Sequence, residues 1–185
     1  LPQRLIINSL PIQTKLVNRL KKIIIRIMPA EITRKIHARL IKSSQTVAVA
    51  ESCTGGGLSS LLTSLPGSSN YFLLGLVTYS NKAKTKLLNI PDRTIKKYGA
   101  VSRQVAMLMA SGVRKKINAD FGLSITGIAG PSGGTPAKPV GTVYICLSKK
   151  DGNICRKFNF RGSRREIRKG STQKALQLLC AHLPR

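Results

Sequence analysis

Thr46-Val47-Ala48-Val49-Ala50 runs into Glu51-Ser52-Cys53-Thr54-Gly55-Gly56-Gly57, and that succession decides the kind of fold. Five small or β-branched residues read as a short apolar strand. Consecutive glycines turn the chain, and an apolar helical pattern follows to about Leu65. Strand, tight turn and helix are the building unit of layered α/β domains. Such a turn brings backbone N–H groups close to a ligand, and the helix start offers unpaired donors and a positive dipole end. Phosphate or a developing oxyanion would suit it. A tight turn that merely needs glycine is the alternative, because the spacing is neither a P-loop nor G-x-G-x-x-G.

The same alternation extends in both directions. Upstream, residues 30–43 read as a helix with Ile32, Ile36, Leu40 and Ile41 on one face. Downstream, Pro66-Gly67-Ser68-Ser69 is a turn, Tyr71 to Tyr79 a strand, and Asn81 caps a helix through Leu88. Ser102 opens a helix to about Asn118, and Phe121 to Thr126 is a strand. A Gly/Pro-rich loop spans Gly127 to Pro139. Val140 to Ser148 and Cys155 to Phe160 form a hairpin around Asp151-Gly152-Asn153, and a last helix runs from Ser163 to about Leu183.

Residues 1–29 read as a basic extension and 30–185 as the functional domain, with Met28 the expected start of the functional protein. Within the extension, Lys15 to Met28 fits a basic amphipathic helix suited to a membrane surface or nucleic acid. No apolar run is long enough to span a membrane.

Composition removes several chemistries. The six carboxylates, Glu31, Glu51, Asp92, Asp120, Asp151 and Glu166, include no pair at metal-site or acid/base spacing. His37 lies in a helical pattern and His182 near the C-terminus, so both read as structural or solvent-exposed. A Ser-His-Asp triad and a His-rich metal centre are therefore hard to build. A hydrolase of this composition would take lysine or tyrosine as its base. Cys53, Cys146, Cys155 and Cys180 form no C-x-x-C pair and read as reduced thiols of a cytoplasmic protein, at least three of them buried. The net charge of +26 points to anionic partners or a diffuse solvated basic surface, with no nucleic-acid motif beside it.

Four stretches could carry chemistry. One is the glycine turn. The second is Ser68-Ser69 with Tyr79 and Lys84, where the helix dipole and Lys82 and Lys86 would disfavour a protonated Lys84. A solvated basic helix face is the plain alternative. The third is Thr126 to Gly134, a glycine-rich loop after a strand. The fourth is Arg161, Arg164, Arg165, Arg168 and Lys169, which could hold phosphate or face water. Ser171-Thr172-Gln173-Lys174 matches S-x-x-K, but its partner motifs are absent.

Six motifs follow in order: A-E-S-C-T-G-G at 50–56, G-S-S at 67–69, V-T-Y-S-N-x-x-K at 77–84, G-A-V-S at 99–102, G-I-A-G-P at 127–131 and K-P-V-G-T-V at 138–143. From about Ile32 onward the chain resembles the C-terminal domain of the competence-damage-inducible protein CinA, which is also found alone as nicotinamide-nucleotide amidohydrolase. The resemblance implies one three-layer α/β/α domain with a mixed sheet. It implies a homodimer, and hydrolysis of nicotinamide mononucleotide (NMN) to nicotinic acid mononucleotide and ammonia without metal or cofactor. It implies Ser69 as nucleophile, with Ser52 as the alternative nucleophile or oxyanion contact, Lys84 as base and Tyr79 positioning the pair. Thr54, Gly55, Gly56, Gly127, Ala129, Gly130 and Arg164 would contact substrate, the phosphate resting on the glycine turn or Arg164. Ser132 and Ser163 stand where the family often has Asp. The rival reading is a non-catalytic accessory protein that binds nucleotide or nucleic acid.

Overall fold

The computed structural model describes residues 30–184. The expected helix from Lys15 to Met28 lies outside them. Helix α1 covers residues 30–43, and β1 (Val47–Glu51) follows. Next come α2 (Gly57–Leu62), a 3-10 turn at Ser68–Asn70, β2 (Phe72–Val77), α3 (Asn81–Leu88), α4 (Asp92–Tyr98) and α5 (Arg103–Lys116). Then β3 (Phe121–Gly127), β4 (Thr142–Lys149), β5 (Gly152–Asn159) and α6 (Arg164–Cys180) complete the described chain. The five strands form one sheet in the order β2-β1-β3-β4-β5. β1 pairs in parallel with β2 and with β3, whereas β4 and β5 join antiparallel, so the sheet is mixed.

The alternation within β1 explains the layers. Val47 and Val49 enter a core with Ile36 and Leu40 of α1, Leu58 and Leu62 of α2, and Leu176 and Leu179 of α6. Ala48 and Ala50 point the other way, into a second core with Leu88, Ile95, Val105, Met109 and Val113. Successive side chains of a strand must face opposite sides. Valines therefore meet α1, α2 and α6 on one face, and the smaller alanines let α3, α4 and α5 lie close on the other. β1 is buried at every residue, as a central strand should be, while β2 alternates as an edge strand. α5 sits so close to β3 that Gly122 must lack a side chain: a Cβ there would collide with the Ala110 carbonyl and Arg114.

Three details differ from the sequence reading. α4 had not been expected. It has seven residues, begins after Pro91, and carries an Asp92–Lys96 pair one turn apart. α3 is capped by Ser80, whose hydroxyl accepts from the Ala83 amide, and Asn81 is its first helical residue. Cys146 and Cys155 are joined as a disulfide, which corrects their reading as reduced thiols. The hairpin register sets these two directly opposite one another on β4 and β5, a pairing that sequence spacing does not reveal until the turn is fixed. Cys53 and Cys180 are free thiols. Ser163 does begin α6, in a reciprocal capping box with Glu166. A serine caps as well as the aspartate common at this position. Among the described residues, no helix is long and apolar enough to cross a membrane.

Replacing Gly122 by Ala should lower stability by about 2 kcal/mol through overpacking of α5 on β3, read as a lower denaturant midpoint at unchanged slope.

Candidate active site

The chain leaves β1 at Glu51 and reverses through Ser52 to Gly56. Gly55 and Gly56 adopt positive φ of 59° and 92°, which glycine enters without steric cost. The Glu51 side chain is fully buried and folds forward onto the helix that follows. Its carboxylate accepts from the Leu58 amide at 3.0 Å, the Ser59 amide at 2.8 Å and the Ser59 hydroxyl at 2.7 Å. The first turn of α2 is thus satisfied by the protein's own anion. This corrects one expectation: these donors of the glycine turn are not open to a substrate phosphate.

Ser52 follows directly. Its amide donates to the Ile125 carbonyl of β3 at 2.9 Å, which anchors it between the C-terminal ends of β1 and β3. Lys84 reaches it from α3. Helical side chains lean toward the N-terminus of their helix, so this lysine runs back past the Ser80 cap. Its Nζ donates to Ser52 Oγ at 3.1 Å, to the Thr78 carbonyl at 2.7 Å and to the Tyr79 carbonyl at 3.3 Å. Lys84 is 1% exposed. Burial pushes its amine down to about 8, against a small opposing influence of Cys53. Desolvation is therefore the cause, and flanking Lys82 and Lys86 are solvent-exposed. The Cys53 thiol is pushed up to about 11 by its own burial, which keeps it protonated and poorly nucleophilic.

A cleft of about 290 Å³ opens over this pair. Tyr79 and Arg164 form one rim: the Arg164 guanidinium donates to Tyr79 Oη at 2.9 Å and to the Gly130 carbonyl at 2.9 Å. Gly127 at the end of β3 and Ala129 and Gly130 of the loop after it supply a wall that adjoins Arg164, with Ser132 beside them. Ala100 and Val101 close a third side, and Thr126 Oγ1 holds that segment by donating to the Ala100 carbonyl at 2.9 Å. No carboxylate lines the cleft. A larger cleft of about 710 Å³ between α1 and α6 has neither serine nor histidine in its lining.

The structure does not bring Ser69 to Lys84. Ser69 lies in the 3-10 turn that precedes β2, whereas Lys84 follows the other end of that strand. Val47 pairs with Phe72 and Glu51 with Val77, so Ser69 belongs with the start of β1 and Ser52 with its end. At about 3.3 Å per residue the intervening strand alone separates them by roughly 15 Å. Thr54, Gly55 and Gly56 do not line the cleft; the Thr54 carbonyl accepts from Arg168 at 2.7 Å. Glu51, Cys53 and Thr126 fall within the stretches singled out from sequence and Asn81 was read as a cap, but none of the four had been given a part in the site. An acid capping a helix seven residues downstream follows no short capping motif, so sequence spacing gave no signal for Glu51. Ser171, of the S-x-x-K match, is buried within α6 and donates to the Ile167 carbonyl at 2.7 Å. His37 meets Tyr71 Oη at 3.3 Å and His182 meets the Leu178 carbonyl at 2.7 Å, neither of them a lining residue of this cleft.

Comparison with known proteins gives one consistent answer. The family model described as CinA C-terminal domain matches residues 29–183. A CinA-like protein of Desulfotalea psychrophila is 53% identical over 144 residues, 78% of this chain and 35% of that protein. Another from Thermotoga neapolitana is 48% identical over 157 residues, 84% of this chain and 38% of that protein. This chain thus spans little more than a third of the length of these curated relatives. Among solved structures, the competence/damage inducible protein CihA from Agrobacterium tumefaciens superposes with a TM-score of 0.81 at 38% identity, covering 83% of this chain and 94% of that one.

Replacing Glu51 by Ala should cost about 3 kcal/mol of stability, because two buried amides lose a charged acceptor. Glu51→Gln, which keeps one acceptor oxygen, should cost about 1 kcal/mol. Urea unfolding of the two variants checks the order.

Proposed function

The chain belongs to the CinA C-terminal domain family, and on that premise we propose that it hydrolyses the carboxamide of nicotinamide mononucleotide, with Ser52 as nucleophile and Lys84 as base. The single observation that carries the reading is the buried Lys84 amine 3.1 Å from Ser52 Oγ. A serine hydroxyl attacks weakly unless a neighbouring base takes its proton. A lysine does this once desolvation leaves much of it neutral near physiological pH. The role that the resemblance assigns to Ser69 passes to Ser52.

The chemistry balances without metal or cofactor. Lys84 Nζ accepts the Ser52 Oγ proton as Oγ attacks the carboxamide carbon. The tetrahedral intermediate carries its charge on the former carbonyl oxygen, toward the backbone N–H groups that follow Ser52 in the turn, since the Ser52 amide itself is held by Ile125. Such a donor contributes roughly 3 to 4 kcal/mol to the transition state. The protonated Lys84 then gives its proton to the leaving nitrogen, the C–N bond breaks, and ammonia departs. Water attacks the Ser52 ester with Lys84 again as base, which releases the carboxylic acid and restores the serine.

Substrate would enter past Tyr79 and Arg164. Arg164 is the guanidinium of the rim, and it offers a planar, permanently charged partner to a phosphate. Substitution of Arg164 by Met should therefore raise KM for the mononucleotide far more than for the riboside. A panel of nicotinamide, its riboside and its mononucleotide, read by ammonia release, tests the substrate. Preference for a substrate without phosphate would replace NMN by another pyridine amide.

The base must be neutral to act, so kcat/KM should rise about tenfold per pH unit below about 8 and level off above it. Lys84→Met and Ser52→Ala should each lose at least about a thousandfold in kcat, while Ser69→Ala should stay within about twofold of the parent. An acyl-enzyme trapped on Ser69 would overturn the nucleophile.

A further inference from the structure

Six carboxylates stand against 32 basic residues, and every one of the six is already engaged. Glu31, Asp92 and Asp151 pair with Lys35, Lys96 and Lys149. Glu51 and Glu166 satisfy helix starts, and Asp120 accepts the amide and hydroxyl of Thr46. The remaining surface cations have no acid within the described chain to neutralise them.

At one place, well away from Ser52, these cations converge. β5 is one of the two edges of the sheet, and Arg156 projects from it, exposed, on the face that α6 covers, whereas its neighbour Lys157 points to the other face. Arg156 lines a cleft of about 130 Å³ together with Lys174 of α6 and His182 just beyond it, over Phe158 and Gln177. This cleft shares no lining residue with the one over Ser52. Within the described chain, Arg156 and Lys174 make no side-chain hydrogen bond or ion pair. Like charges held together without counter-charge are unfavourable on folding, so the arrangement is one that an external anion would relieve.

We infer that this β5–α6 surface is a second site, and that it binds the phosphodiester backbone of a nucleic acid without regard to sequence. The cleft has room for a phosphate group but is small for a nucleotide. Arg156 on the strand and Lys174 on the neighbouring helix flank the cleft, so a backbone phosphate can lie between them. No carboxylate lines the cleft to repel phosphate. An anionic membrane is the poorer fit. The exposed large apolar side chains of the described residues are Ile41, Leu73, Val77, Tyr79, Leu87, Tyr98, Leu108 and Ile117, none of them on β5 or α6, so nothing beside the cations would insert into lipid.

The test uses the full chain and a scrambled duplex DNA of about 20 base pairs, with affinity followed as a function of salt. Log affinity should fall linearly with log salt concentration. Each lost phosphate contact removes about 0.9 from that slope, so Arg156→Ser with Lys174→Ser should reduce it by about 1.8. Lys115→Ser with Lys116→Ser, two exposed residues at the far end of α5, makes the same change in net charge and should leave the slope nearly unaltered. Ammonia release from the mononucleotide should be the same in the parent, in each double variant and in the two combined, because neither pair lines the Ser52 cleft. The inference is overturned if no duplex binding is seen at about 50 mM salt. It is equally overturned if the α5 pair lowers the slope as much as the β5–α6 pair, or if phosphatidylserine vesicles displace the DNA. It does not depend on the amidase reading, since the readout is DNA affinity.

Discussion

A carboxylate withdrawn from water must find hydrogen-bond donors, and Glu51 finds them at the start of the helix that follows its own strand. Much of the site rests on that contact. It ties the end of β1 to the first turn of α2, so the intervening residues are held as a tight turn and not as a loose loop. It fixes Ser52 at the C-terminal edge of the sheet, where the Ile125 carbonyl takes its amide. It also occupies α2 amides that, in other glycine-turn folds, receive a ligand phosphate. Under the proposed function, an anionic group would then meet side chains on the rim, Arg164 first among them.

Charge distribution completes the arrangement. A buried lysine next to a carboxylate would stay protonated. The cleft over Ser52 has no acid in its lining, and Lys84 is surrounded by carbonyls, a hydroxyl and apolar atoms. Desolvation therefore acts almost unopposed, and the amine falls to about 8. The chain's few acids are spent on caps and surface pairs. The same scarcity that leaves Lys84 without a carboxylate beside it leaves Arg156 and Lys174 on the β5–α6 surface without partners. One compositional bias thus bears on the chemistry of the cleft and on the electrostatics of the opposite edge.

Much of the fold could be read in advance from periodicity. The V-A-V-A alternation of β1, the caps at Ser102 and Ser163, and the hairpin of β4 and β5 are local features, and local physics produces them. Short α4 escaped because seven residues give too little periodicity to register. The Cys146–Cys155 bond escaped because it depends on the register of two strands. Glu51 escaped because its partners lie seven and eight residues on, beyond the reach of a capping box.

What the sequence by itself determined was the layered α/β class, the glycine turn after β1, and a composition poor in histidine and clustered carboxylates that left lysine or tyrosine as the candidate base. What only the tertiary structure decided was which serine meets that lysine. Ser69 is 15 residues from Lys84 and Ser52 is 32 residues away, yet the more distant one makes the contact. The reason is the parallel pairing of β1 and β2. It brings the C-terminal ends of the two strands together, with Ser52 after one and Lys84 after the other, and leaves Ser69 at the far end of the sheet.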